Sequence, residues 1–262
     1  MNLIQRLISP ALLAGFFVNA QAFTITPGTL VAVDGSSKRL IEYSTAGTIN
    51  EMLSLTGIAG VPVGVEVIGS SVYIMEVTGD VSQVNLSTGA TSFLFNGGGN
   101  EGLGSRGGNL LTLDYSSGVV REYTVGGALV NSWTVAAGGT GVDSAAAGGF
   151  SVAYYSDATV GTFSAGGVLV SSFATGLNGY EISGYAYDAS TNTHWVSSGF
   201  GRDDIRHYSN TGTLLGSFAA NSLWINGLDY VSGPQNVPDA GSSMVLLVLA
   251  VAGMAALRRR ET

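Results

Sequence analysis

Five stretches of this chain repeat one pattern. LIEYSTAGTINEML, SQVNLSTGATSFLF, VREYTVGGALVNSW, VGTFSAGGVLVSSF and IRHYSNTGTLLGSF align on Gly47, Gly89, Gly127, Gly167 and Gly212, at spacings of 42, 38, 40 and 45 residues. Ahead of each lies a β-branched or apolar strand: LVAVDG, VYIMEV, LLTLDY, SVAYYS and HWVSSG. Behind each tight glycine turn the chain alternates, as in ALVNSWTV and VLVSSFAT, which is the period of a strand with two different faces. Four residues before the anchor glycine stands Tyr43, Tyr123, Phe163 or Tyr208, with Asn85 in the second unit. Aromatic side chains at one repeated position are expected to pack between neighbouring units.

A period near 40 residues has room for four short strands, and no unit carries the Ala/Leu stripes of a helical repeat. The chain is therefore predicted to be all-β, a five-bladed β-propeller of four-stranded antiparallel blades over residues 23–232, similar to propellers in general. VGVEV, GLGSR, GVDSAAA and ISGYAYD lead into the later units and read as inner strands. INGLDYV, Ile225 to Val231, has no unit after it, while the first unit, near Leu30, has no inner strand before it. The last strand is thus expected to complete the first blade, which leaves no open edge pair.

Of the 262 residues 39 are Gly and none is Cys, which excludes disulfides, thiolate metal sites and cysteine nucleophiles. The formal charge of −8 understates the acidity of the middle, because Arg6, Arg258, Arg259 and Arg260 lie near the ends. So few cations gain little from counterion release, and nucleic acid is not an expected partner.

Both ends read as addresses. MNLIQRLISPALLAGFFVNAQAF has one Arg, an apolar stretch and Ala20-Gln21-Ala22, the order of a secretory signal cut after a small residue. Residues 1–22 are expected to be a signal peptide. At the other end, residues 233–243 form a Pro/Gly/Ser linker, 244–257 an apolar run of 14 residues and 258–262 a basic tail. A short apolar helix is expected at each terminus. The run is marginal for spanning a bilayer, and the arginines would stay on the cytoplasmic side.

The order of VPDAGSS, apolar run and RRR resembles the C-terminal sorting signals of the PEP-CTERM class, in the VPDSG-type variant. Val237, Pro238, Asp239, Gly241 and Ser242 match it, Ala240 stands where the variant has Ser, and Arg258, Arg259 and Arg260 form the basic stop. The resemblance implies export by secretion machinery, a membrane contact through the apolar segment and handling by an exosortase-type processing enzyme. It also implies a destination at the envelope, surface or extracellular matrix of a Gram-negative bacterium. It implies nothing about activity.

Chemistry is sparse in the repeat. Acids recur near the inner strands, at Glu66, Glu101, Asp143 and Glu181, and again at Asp34, Glu76 and Asp114. Both series are expected on the loops of one face around the axis. Carboxylates gathered there suit a hard cation such as Ca²⁺; the other reading is solvated loop acids, with no cofactor. GLGSRG, Gly102 to Gly107, has dinucleotide-loop spacing but runs into strand-like GNLLTLDY rather than a helix. His207 is expected to be a packing or surface residue; His194, beside Trp195, leaves a Ser-His-Asp triad open, although no G-x-S-x-G is present. Arg202, Asp203, Asp204 and Arg206 read as local ion pairing in a long insertion. No residue is assigned a catalytic role. The expectation is an exported propeller that binds a macromolecule such as extracellular polysaccharide; the alternative is a metal-dependent hydrolase or lyase at the axial opening.

Overall fold

The computed structural model describes residues 22–233 apart from 180, 200–202, 222 and 223. The helices expected at the termini, the expected signal segment up to Gln21 and the sorting motif lie outside the described residues.

Blade I begins with β1 (Thr29–Asp34), β2 (Arg39–Ser44) and β3 (Ile49–Ser54). Blade II is β4 (Pro62–Ile68), β5 (Ser71–Glu76), β6 (Asp80–Val84) and β7 (Thr91–Asn96). Blade III is β8 (Leu103–Arg106), β9 (Asn109–Leu113), β10 (Val119–Tyr123) and β11 (Leu129–Thr134). Blade IV is β12 (Gly139–Ser144), β13 (Phe150–Tyr154), β14 (Thr159–Phe163) and β15 (Leu169–Ala174). Blade V is β16 (Ile182–Asp188), β17 (Thr193–Ser198), β18 (Asp204–Ser209) and β19 (Leu214–Ala219). The last strand, β20 (Ile225–Tyr230), lies antiparallel beside β1 with Leu30 opposite Tyr230 and Ala32 opposite Leu228. Five four-stranded sheets result, the first ordered β20-β1-β2-β3. The predicted closure is present.

The apolar code of the second strands follows from this stacking. On β1, Val31 and Val33 face blade II and pack with Val65, Val72 and Ile74. Leu30 and Ala32 face blade V and pack with Ala186, Trp195 and Ile205. Both faces are covered, so LVAV reads as a continuous apolar run, where a one-sided sheet would alternate. The outer strands have no such cover, and Leu129, Val130, Leu169, Val170, Leu214 and Leu215 are exposed.

The repeated aromatics do pack between blades, and three of them also carry a hydrogen bond across. The Tyr43, Tyr123 and Tyr208 hydroxyls donate to the carbonyls of Ala220, Gly97 and Thr175. Each acceptor lies just past the outer strand of the preceding blade. A bulge falls immediately before Tyr43, Tyr123, Phe163 and Tyr208. The anchor glycines meet the same seam. A Cβ on Gly47, Gly127, Gly167 or Gly212 would strike Phe218, Phe95, Trp133 or Phe173 of the preceding outer strand. All four also have positive φ, so glycine is required twice over. Asn85 instead caps its own turn, accepting from the Ser87 and Thr88 amides.

A second ring of glycines closes the axis. A Cβ on Gly64, Gly102, Gly141, Gly184 or Gly227 would stand 2.6, 2.9, 2.9, 3.1 or 2.7 Å from a backbone nitrogen of the next inner strand. Those nitrogens belong to Leu103, Val142, Tyr185, Leu228 and Val65, in that order. The inner strands thus approach backbone to backbone, and the ring of five has no room for side chains at this level.

Candidate functional site

The residue just before each ring glycine cannot keep the ladder. Register skips Val63, Thr140, Ser183 and Asn226, so each is a β-bulge opposite the second strand. In blade III the amides of Asn100 and Glu101 both donate to the Leu113 carbonyl, which puts Glu101 at the same point. A bulge re-aims one side chain out of the pleat. Here it turns all five toward the axis, where they line one cavity of about 300 Å³. Its upper wall comes from the first or second residue after each second strand. Blades III and IV supply Tyr115 and Tyr155, whose rings meet edge-on with centroids 6.3 Å apart, and blade II supplies Val77. At the matching points of blades I and V stand Gly35 and Gly199, whose Cβ atoms would collide with Asn226 and Ser183. Trp224, on the segment before β20, completes the wall. Among the described residues the wall is thus uneven, with aromatic rings from blades III and IV and glycines packed on Asn226 and Ser183 in blades I and V.

Glu101 is the ionisable carboxyl in this cavity. Burial pushes it up to about 7, because a charged carboxylate is poorly solvated there. Among the described residues no side chain or amide hydrogen-bonds its carboxyl group, and neither described salt bridge involves it.

The expected quartet of acids does not meet. Glu66 and Asp143 lie two residues past the ring glycines, on the inward side of the axis, and are buried. There they join Asp229, whose β20 position the repeat had not singled out. Asp229 Oδ2 accepts the Val67 amide of blade II at 2.8 Å. Asp143 accepts the Tyr187 amide of blade V at 2.7 Å and the Ser105 amide of blade III at 3.4 Å. These carboxylates tie neighbouring inner strands together. Burial and their mutual charge hold Glu66 and Asp229 well above the usual carboxylate range. Burial raises Asp143 to about 6, tempered by its amide bonds. Glu101 stands at the mouth, and Glu181 accepts from the Asn178 amide and side chain at 2.9 and 3.1 Å. Among the described residues no group of three or more His, Asp or Glu is disposed to hold a metal ion. Of the second series, Asp34 and Asp114 cap their own turns, and Glu76 accepts the Gly60 amide. Aligning GVE, GVD and GLD on their glycines would have found Asp229, and the residue before each of those glycines would have found the mouth.

The other polar features are structural. His194 shares a 2.7 Å hydrogen bond with the Tyr185 hydroxyl, and burial lowers it to about 4. His207 stacks on Trp195 with ring centroids 3.9 Å apart. Arg206 pairs with Asp204 at 2.7 Å. GLGSRG leads into β9, a strand. A groove of about 430 Å³ lies between blades V and I. Its polar groups are already engaged: Asp188 accepts from Ser190 and Thr191, and His207 bonds Thr193.

The fold recurs in solved structures. Virginiamycin B lyase from Staphylococcus aureus superposes with a TM-score of 0.47 at 10% identity, covering 73% of this chain and 69% of that one. A protein of unknown function from Bacteroides caccae gives 0.50 at 12% identity, covering 76% and 77%. Glutaminyl cyclase from Myxococcus xanthus gives 0.48 at 15% identity, covering 65% and 70%. Of these three, the Bacteroides caccae likeness alone reaches a TM-score of 0.50, and at 12% identity it is a likeness of fold and nothing more. No curated protein sequence matches the chain. Residues 236–260 match the VPDSG-CTERM motif, so the address read from the sequence is that of a known sorting signal.

Proposed function

We propose that this is an exported propeller, sorted to the cell surface or extracellular matrix through its C-terminal motif, that works there as a binding module. The ligand site is the axial mouth. The observation that carries this reading is the cavity itself: five bulges turn five different side chains into one space walled by aromatics. Concave, mostly apolar sites with a few convergent polar groups are where ligands bind. Extracellular polysaccharide is the partner class that suits the destination, because sugar rings pack on aromatic faces; Asn226, Ser183 and Thr140 already donate to the Pro62, Ile225 and Ile182 carbonyls, so their oxygens serve as acceptors for sugar hydroxyls.

Two measurements test the two halves. Deleting Val237–Thr262 is expected to abolish surface retention in cells and leave the thermal transition of the released protein unchanged. Persistent surface attachment would refute the sorting half. Trp224→Ala, at a half-exposed wall position, is expected to weaken binding of matrix polysaccharide fragments about tenfold, as loss of one aromatic anchor does, without altering the melting temperature.

The alternative is a metal-dependent hydrolase or lyase at the axis. It requires ligands from Glu66, Glu101, Asp143 and Glu181, of which Asp143 is engaged in cross-strand bonds and Glu181 in bonds to Asn178. Elemental analysis of the purified protein decides it: stoichiometric Ca²⁺ or another divalent ion would favour the enzyme.

A further inference from the structure

The mouth contains a half-buried carboxyl, Glu101, with no donor among the described residues, in a cavity lined by Tyr115, Tyr155 and Trp224. A carboxyl that lines a mostly apolar cavity without a protein donor is a polar group that a ligand can pair. In blades II, IV, V and I the same bulge carries Val63, Thr140, Ser183 and Asn226, so nothing in the backbone of the repeat demands an acid there. The acid is specific to blade III.

A neutral ligand that closed the mouth would strip water from that carboxyl without compensating its charge. A cation would not. An ammonium group supplies both charge and donors, and it is also attracted to the faces of Trp and Tyr. The volume limits the guest: about 300 Å³ is the small end for ligand cavities, enough for one ring and too little for a folded-in chain. We infer that the mouth receives the end of a saccharide bearing a free amine, a hexosamine ring whose ammonium group pairs with Glu101 while its apolar face lies against the aromatic wall. This rests on the reading of the mouth as the ligand site and names its ligand class. The other titratable groups lining the cavity are the phenols of Tyr115 and Tyr155.

The test is calorimetric titration of the full chain in detergent, slightly above neutral pH, with three probes: a glucosamine tetramer, its N-acetylated form and a glucose tetramer. The glucosamine tetramer is expected to bind at least about tenfold tighter than the other two, the scale of one charge-assisted contact. Glu101→Gln, which keeps the shape and removes a desolvated charge, is expected to erase that preference and retain the weak binding of the neutral probes. Trp224→Ala is expected to weaken all three. Equal binding of all three probes, or a preference that survives Glu101→Gln, overturns ammonium recognition while leaving the mouth as a sugar site. Binding untouched by Trp224→Ala removes the mouth itself, and absence of binding by every probe overturns the hexosamine assignment.

Discussion

A chain ending at Trp224 is expected to show no cooperative thermal transition, while one ending at Gly233 is expected to melt like the longer protein. The difference is β20. Without it, β1 loses the partner that runs from Leu30 opposite Tyr230 to Asp34 opposite Ile225. Ile225 and Leu228, both almost fully buried, are lost as well; two such side chains are worth about 3–6 kcal/mol, and each ladder hydrogen bond adds about 1 kcal/mol. The Asp229 tie to Val67 goes with them. A domain has only about 5–15 kcal/mol to lose. Supplying residues 225–233 as a peptide is expected to restore the transition. Far-ultraviolet circular dichroism on heating reads both outcomes, and a cooperative melt of the shorter chain within a few degrees of the longer would refute closure by β20.

Raising the pH is expected to destabilise the protein between mild acid and neutrality, the reverse of what salt-bridged carboxylates do. Asp143 moves from 3.8 to about 6 on folding, and Glu101 from 4.5 to about 7. Glu66 and Asp229 move the same way. In each case the folded state holds its proton more tightly than the unfolded chain. The resulting stability is complete below the unfolded value and is lost as pH climbs through the folded one. For Asp143 this amounts to about 3 kcal/mol, lost between roughly pH 4 and pH 6. The net charge of −8 at pH 7 adds self-repulsion in the same direction. Asp229→Asn keeps an acceptor for the Val67 amide and removes one of the buried charges. It is expected to raise the melting temperature at pH 8 and flatten the profile. A melting temperature that is constant or rises from pH 5 to pH 8 would show that the axial acids are ionised and well solvated.

The acids also show how far a linear reading reaches. Glu66, Glu101, Asp143 and Glu181 look like one series when matched by nearness to an inner strand. Measured from the ring glycines Gly64, Gly102, Gly141 and Gly184, they occupy three different levels: two residues after, one before, two after and three before. Of these levels, the one-before level is the one that lines the mouth in all five blades. The bulges that create this level are set by where five backbones collide at the axis, and hydropathy carries no trace of that. The anchor glycines were easier, because a tight hairpin turn has a local signature. Their second duty, making room for Phe218, Phe95, Trp133 and Phe173, depends on the neighbouring blade.

What the sequence determined by itself is whatever depends on short-range chemistry and period: strand and turn alternation, a unit near 40 residues, an unpaired first and last strand that must find each other, and the ordered parts of the C-terminal address. The rest belonged to the tertiary structure. Which face each acid presents, and that Asp229 joins Glu66 and Asp143 while Glu101 stands apart, follow from the approach of strands far apart along the chain. That approach forces a bulge in each inner strand, and a bulge reverses which side chains meet.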